Sequence, residues 1–535
     1  MALTSFNFLV FLAAVIVVYY LVPKKYQWCV LLIASYGFYL SSGIDHVLYI
    51  LGTTLFTYGA ACWMQKIRDD FQTRLQGMGE LTKDEKRELK KAVSARIRRI
   101  QVFTVVVNLG VLICIKCLNF FIGNINNVLA FFTWDASIPM VNLLVPLGLS
   151  YYTFNSIGYL VDVGRGKYPA EKNLGKLALF VSFFPSIVQG PLLRFGDVGV
   201  QLQQEHKLEY KNLKFGAQLI LWGFFKKLVI ADRVSAIALT VFSPDYTVYT
   251  GSHIFVGVLA YSFQIYCDFS GGTDITRGAA QMMGINLPMN FERPFFATSM
   301  ADFWRRWHMS LGAWMREYVF YPIMLSKGVT AVSKKFRKRW GAYAAKMVPS
   351  VAAPMVVFFL IGIWHGLTWQ YITNGLYNAI LISSSVALTP VYQKLAQKLR
   401  INTESFAFRL FQMLRTFVLL CFSRIIVKAP SLGEAVKMIK SLFTGWDLKF
   451  LFGLDGKIFT DYGVSDRDLL AVAFAIAILF VIGVLQERGM KIRETLSSKP
   501  LVIRWGMILA LLGLVLVFGI YGPVYDAKSF IYGGF

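Results

Sequence analysis

Charge is scarce in this chain. Only 16% of its 535 residues are Asp, Glu, Lys or Arg, against roughly 25% in an ordinary soluble domain. Hydrophobic residues make up 56% and the mean hydropathy is +0.53. Disorder is excluded by that hydrophobicity, and no soluble core hides so much apolar surface, so the composition is that of a protein dissolved largely in lipid. Cysteine is thin as well: Cys29, Cys62, Cys114, Cys117, Cys267 and Cys421 lie scattered, mostly inside apolar runs, which excludes a disulfide-stapled scaffold. Cys114 and Cys117 alone are close enough to suggest a metal pair, but two sulfurs without partners make a poor zinc site, and no metal site is assigned. G-x-S-x-G, H-E-x-x-H, a Walker loop and G-x-G-x-x-G are missing throughout, which removes the usual hydrolase, zinc-peptidase and nucleotide-binding signatures. Without a fixed-period repeat, solenoids are excluded too.

What is present is a series of apolar stretches of the length that spans a bilayer. They lie near 5–22, 26–42, 46–63, 101–122, 139–162, 215–242, 251–269, 347–364, 366–392, 406–427, 467–486 and 505–522, which predicts an all-α, multi-pass membrane protein of about twelve crossings. Lys and Arg outnumber Asp and Glu by 55 to 30, for a formal charge of +25, and cytoplasmic loops collect basic residues. The first stretch has no basic leader and is followed by Lys24 and Lys25, which sets the N-terminus outside. Alternation then puts 64–100, 163–176, 194–214, 327–346, 393–404 and 487–504 inside, each richer in basic than acidic residues. It puts 123–138, 243–250 and the C-terminus outside. Neither 64–100 nor 327–346 carries a nucleic-acid pattern, so lipid headgroups or an acidic partner are the expected counter-charges and nucleic acid is not.

The chain is expected to form one membrane domain over 1–535, with a basic cytoplasmic helical hairpin at 64–100. Two segments do not read as simple spans. Residues 177–193 contain Pro185 and the Gly190-Pro191 break, and 270–326 contain Gly271-Gly272, Pro288, Pro294 and Pro322. Both are expected to be re-entrant or amphipathic, since irregular backbone at membrane depth must be covered by protein or line a wet cavity.

Two of the five histidines stand in dense settings, Phe303-Trp304-Arg305-Arg306-Trp307-His308 and Ile361-Gly362-Ile363-Trp364-His365-Gly366. Ionisable residues at membrane depth are functional candidates. On a continuous helix Trp304, Trp307, His308, Leu311, Trp314 and Met315 would share a face, placing His308 against an aromatic wall; a belt of interfacial aromatics around a structural histidine is the alternative. A neutral imidazole is well suited to taking a proton from a hydroxyl, which fits direct acyl transfer to an alcohol. Further on, Gln264, Asp268, Ser270 and Asp274 end a crossing in carboxylates and hydroxyls, where Asp274 is placed to cap the following helix. Lys226, Lys227, Asp232 and Arg233 interrupt an apolar run and are expected to pair or to reach toward water.

These residues resemble a family. Phe303-Trp304-Arg305-Arg306-Trp307-His308-Met309-Ser310-Leu311, with Trp314-Met315-Arg316-Glu317-Tyr318 after it, is similar to the hallmark segment of the bacterial membrane-bound O-acyltransferases. Trp364-His365-Gly366 matches their second histidine motif, and the runs Phe184–Pro191 and Gln264–Gly271 resemble further family segments. The likeness covers most of the chain and favours the alginate O-acetyltransferase branch, with the teichoic acid D-alanyl transferase as a shorter relative.

The resemblance implies a helical funnel fold in a bacterial inner membrane. His365 would be the catalytic histidine and His308 the second motif histidine, His365 acting as base and His308 or nearby donors steadying the oxyanion. Trp304, Arg306, Trp307, Trp364, Gln264, Asp268, Ser270, Asp274, Gln189 and Tyr318 would line the substrate path. It implies no resident cofactor. An acyl thioester, acetyl-coenzyme A or an acidic acyl carrier protein, would be the donor substrate at the cytoplasmic face. The acceptor would be a surface polysaccharide or cell-wall polymer, reached directly or through a secreted partner transferase. D-alanyl transfer is the competing reaction, and a transporter or an export-complex scaffold the competing class.

Overall fold

Every regular element among the described residues is helical. A computed structural model describes residues 1–78, 82–132, 134, 136–245, 250–451, 462 and 464–521. The expected outside loops 123–138 and 243–250 therefore fall partly, and the C-terminal residues 522–535 wholly, outside the described residues. Among the described residues, seven helices are long and apolar enough to cross a membrane by length and composition: Ile44–Gly77, Lys83–Phe131, Gly251–Met282, Lys327–His365, Phe406–Lys428, Arg467–Glu487 and Leu501–Phe518. Other apolar stretches take different forms. Phe6–Leu21 is a shorter apolar helix, and 139–162 becomes helical only from Leu149, after Gly148 turns the chain at φ 68°.

Packing divides the chain into two compact units, Met1–Gly216 with Ala279–Pro288, and Ala217–Gly278 with Met289–Phe535. In the first unit, Ile44–Gly77 and Lys83–Phe131 have 34 and 49 residues, about 50 and 75 Å at 1.5 Å per residue. Both exceed the roughly 30 Å hydrocarbon core, so the arms of the basic hairpin are continuations of apolar helices. Thr82 and Glu85 start the second arm with a capping box, each side chain accepting from the other's backbone N–H. Arg68 donates to the carbonyls of Val163 and Gly164 at 2.9 and 3.3 Å, satisfying the C-terminal end of Leu149–Arg165.

In the second unit Gly271 and Gly272 do not interrupt anything: the helix Gly251–Met282 runs through them. A Cβ on Gly271 would lie 2.8 Å from the Gly223 carbonyl oxygen, and one on Gly223 2.6 Å from that of Gly271. The glycines serve close backbone approach between helices, which small residues permit, rather than a break. Asp274 accordingly sits inside the helix and does not cap it. Opposite lies a π-helical turn, Phe225–Ala231, whose extra residue per turn presents Lys226 and Lys227 together. Lys226 donates to Ser270 at 2.9 Å and Asp274 at 2.7 Å, and Lys227 meets Asp268 at 2.6 Å and Asp232 at 2.7 Å. The charges that interrupt this apolar run are thus paired. Further along, the basic stretch from Lys327 folds back at Gly341 (φ 84°) before the apolar part of Lys327–His365 begins.

Candidate functional site

Both motif histidines belong to the second unit. The expected single helix through 304–315 is broken. Met300–Arg306, capped by Ser299, ends at an extended Trp307, and Met309–Met315 begins anew after His308, whose φ of 46° is left-handed. The cause is a strand of irregular backbone at 290–292 that satisfies the groups freed by the break. Glu292 N–H donates to the Arg306 carbonyl at 2.9 Å and Met309 N–H to the Asn290 carbonyl at 2.9 Å. The Asn290 side-chain oxygen accepts from Ser310 N–H at 3.1 Å and from the Ser310 hydroxyl at 2.9 Å. It also lies 3.1 Å from His308 Nδ1.

His308 is buried, with the edge of Phe269 at 4.8 Å and Trp364 at 6.0 Å between ring centroids. Burial, helped by the neighbouring His365, holds its pKa well below the usual histidine value, so it is neutral at pH 7. His365 ends the helix Lys327–His365. Its ring lies 4.5 Å from Trp364 and is stacked on Tyr371 at 5.8 Å and 18°. That placement depends on a tight crossing with Trp369–Ala387. A Cβ on Gly362 would be 2.6 Å from the Tyr371 carbonyl oxygen, and one on Gly375 2.4 Å from that of Phe358.

Two cavities meet along one wall. The first, about 40 Å³, has His365, Tyr371, Asn374, Asn378, Arg424 and Tyr261 on its surface. The second, about 520 Å³ and largely apolar, has His308, Arg305, Arg316, Met315 and Pro354. Trp304, Trp307, Phe358 and Ile361 line both. The wall is braced: Trp304 Nε1–H donates to Asn378 Oδ1 at 3.1 Å, and the Asn378 amide donates to Asn374. The Ser423 hydroxyl donates to Asn374 Oδ1 at 2.6 Å. Trp307 stacks on Phe303 at 5.4 Å and carries the Arg424 guanidinium 4.7 Å from its ring centre. A hydroxyl and an acyl carbonyl brought to such a wall would meet an imidazole on either side of it.

The other expected residues are placed as follows. Trp364 touches both histidines. Arg306 lines neither cavity; it pairs with Glu487 at 2.5 Å and Asp302 at 3.2 Å. Asp268, Ser270 and Asp274 are held by the two lysines. Gln264 lies beside the cavity residues Tyr261 and Ile265 on one helix, and its Oε1 is buried without a hydrogen-bond partner among the described residues. Tyr318 packs at a tilt against Trp314, 5.0 Å between ring centroids. Gln189 is fully buried in the first unit. Asn290, Asn374, Asn378, Arg424 and Tyr371 were not expected. Asn374 and Asn378 carry a signal, two amides four apart in an apolar helix, whereas Asn290 follows no period.

Residues 171–424 match the model of MBOAT, the membrane-bound O-acyltransferase family. The probable alginate O-acetylase of Pseudomonas aeruginosa is 31% identical over 443 residues, covering 82% of this chain and 75% of that one. The peptidoglycan O-acetyltransferase of Helicobacter pylori is 25% identical over 448 residues, covering 79% and 74%. The teichoic acid D-alanyltransferase of Bacillus subtilis is 34% identical over 250 residues, covering 46% and 60%. With its apolar helices and both histidine motifs, this multi-pass membrane protein belongs to the membrane-bound O-acyltransferase family and is an O-acyltransferase.

Proposed function

We propose that the protein moves an acetyl group from a cytoplasmic thioester to hydroxyls of a polymer outside a bacterial inner membrane. The carrying observation is the pair of cavities on one tryptophan wall, with His365 on one side and His308 on the other. His365 takes the proton of the acceptor hydroxyl as its oxygen attacks the thioester carbonyl, and the thiolate leaves. Trp304, Trp307 and Trp364 exclude water from the thioester. The larger cavity suits the donor: its lining is apolar, and Arg305 and Arg316 offer charge to a phosphorylated group such as that of coenzyme A or a carrier protein. Acetyl is favoured over D-alanyl because the two acetyl-transferring relatives align over 79–82% of this chain and the D-alanyl relative over 46%. The basic loops support an outside N-terminus, and the polymer is reached directly or through a secreted partner transferase.

The test is the ester-linked acyl content of surface polymers by mass spectrometry, in wild type and His365→Ala at matched membrane levels. Loss of one ester species is expected and would identify acyl group and acceptor. Unchanged esters would overturn the assignment of a surface polymer as the acceptor.

A further inference from the structure

Asn290 is fully buried, and its side-chain oxygen gathers three groups: the Ser310 backbone N–H, the Ser310 hydroxyl and His308 Nδ1. A backbone N–H can only donate, so the Asn290 atom that faces it is the amide oxygen and the orientation of the amide is fixed. That oxygen cannot donate in turn. The hydrogen between Asn290 and His308 must therefore sit on Nδ1, and a neutral imidazole with its proton there carries a lone pair on Nε2. His308 Nε2 is buried and has no hydrogen-bond partner among the described residues, while His308 lines the larger cavity. Its left-handed backbone, φ 46°, is an uncommon conformation for a residue with a Cβ. It is held by the same Asn290, whose carbonyl receives Met309 N–H.

We infer that Asn290 is a positioning residue that locks His308 as the Nδ1–H tautomer, making His308 a proton acceptor in the reaction and not the oxyanion donor expected from the sequence. Resting on the acyl transfer proposed above, the proton balance gives this a place. The acceptor O–H breaks, C–O forms, C–S breaks and S–H must form. His365 receives the hydroxyl proton first; His308 Nε2, which holds a lone pair but does not touch His365 directly, receives it next through a bridging water and hands it to the departing sulfur, returning to the neutral tautomer. A neutral His308 donating to the oxyanion would need its N–H at Nε2, which the contact with Asn290 excludes.

Two measurements decide it. Nitrogen-15 magnetic resonance of histidine-labelled full-length protein in nanodiscs, with His308 assigned by difference against His308→Gln, should show a protonated Nδ1 and a bare Nε2 at pH 7. Asn290→Leu should lose that pattern, and Asn290→Asp, which still accepts, should keep it. Initial rates of thiol release from acetyl-coenzyme A, the donor probe, should show Asn290→Leu lowering kcat by about 10–100-fold, the scale of a lost orienting contact, with KM little changed and Asn290→Asp partly restoring the rate. His308→Gln, which can donate but cannot take up a proton, should lose on the order of 10²–10⁴-fold. A protonated Nε2 in the resting protein, or near-normal turnover in His308→Gln, would overturn the inference. A wild type that forms no surface ester would sink the proposed function instead, and the spectrum would still decide the tautomer.

Discussion

Lys227 and Asp268 meet at 2.6 Å with side chains only 2% and 1% exposed, joining the π-helical turn to the helix Gly251–Met282 beside the glycine crossing. Removing one partner of such a pair leaves an uncompensated buried charge, which costs about 3–5 kcal/mol. Lys227→Met should lower the unfolding midpoint in detergent strongly and reduce membrane yield. Lys226→Met should do less, because Asp274 is more exposed and keeps Arg277 at 3.3 Å. Lys227→Met also takes a partner from Asp232, so adding Asp268→Leu should recover part of the loss and not all of it; no recovery would show that Asp268 is not the source.

The crossing that carries His365 has no room for a methyl group. Gly375→Ala would put its Cβ 2.4 Å from the Phe358 carbonyl oxygen, a backbone atom that cannot swing away, so the two helices must part. Ester formation should fall by an order of magnitude or more, since misplacement by about 1 Å at a reacting group can cost 10²-fold. Gly513→Ala, with open space around its Cβ, should be silent in the same assay.

Trp304→Phe keeps the aromatic wall but deletes the Nε1–H that Asn378 receives. An acceptor left unsatisfied costs about 1–3 kcal/mol. The expected result is a modest loss of stability with a larger rise in thioester hydrolysis relative to transfer, read as the ratio of thiol released to ester formed. An unchanged ratio would mean that Trp304 does not help to exclude water.

His308 also predicts how stability depends on pH. Its pKa in the folded protein lies well below the ordinary value of about 6.5. Below pH 6.5 the unfolded chain takes up a proton there while the folded chain stays neutral, so stability is full above that pH and declines as pH falls toward the folded value. The slope is at most about 1.4 kcal/mol per pH unit. Unfolding midpoints at pH 7.5, 6.5 and 5.5 should show a steeper acid decline in wild type than in His308→Gln. Equal declines would count against it.

The histidine motifs were legible because chemistry and sequence proximity coincide in them: Trp307-His308 and Trp364-His365 bring ring and imidazole together within two residues. The helix carrying His308 was misread for the opposite reason. Its apolar spacing continues through Trp307, and the break is enforced by Asn290, 18 residues earlier, whose role exists only once the chain has folded over it. Gly271-Gly272 was read as an interruption because a glycine pair signals a turn in water, whereas between packed membrane helices it signals contact. Arg306 sat in the most suggestive run of all, yet its partner Glu487 lies 181 residues away, beyond the reach of any local pattern. Hydropathy identified apolar stretches without showing which continue into charged arms, as Lys83–Phe131 does, or are divided by a π-helical turn.

The shared wall of Trp304 and Trp307 has a pharmacological consequence. If each cavity admits one substrate, a molecule lodged between Arg305 and Arg316 on the apolar side would compete with the acyl donor alone. Raising the concentration of acceptor would not displace it, and its potency would be the same whichever polymer the cell presents on the other side.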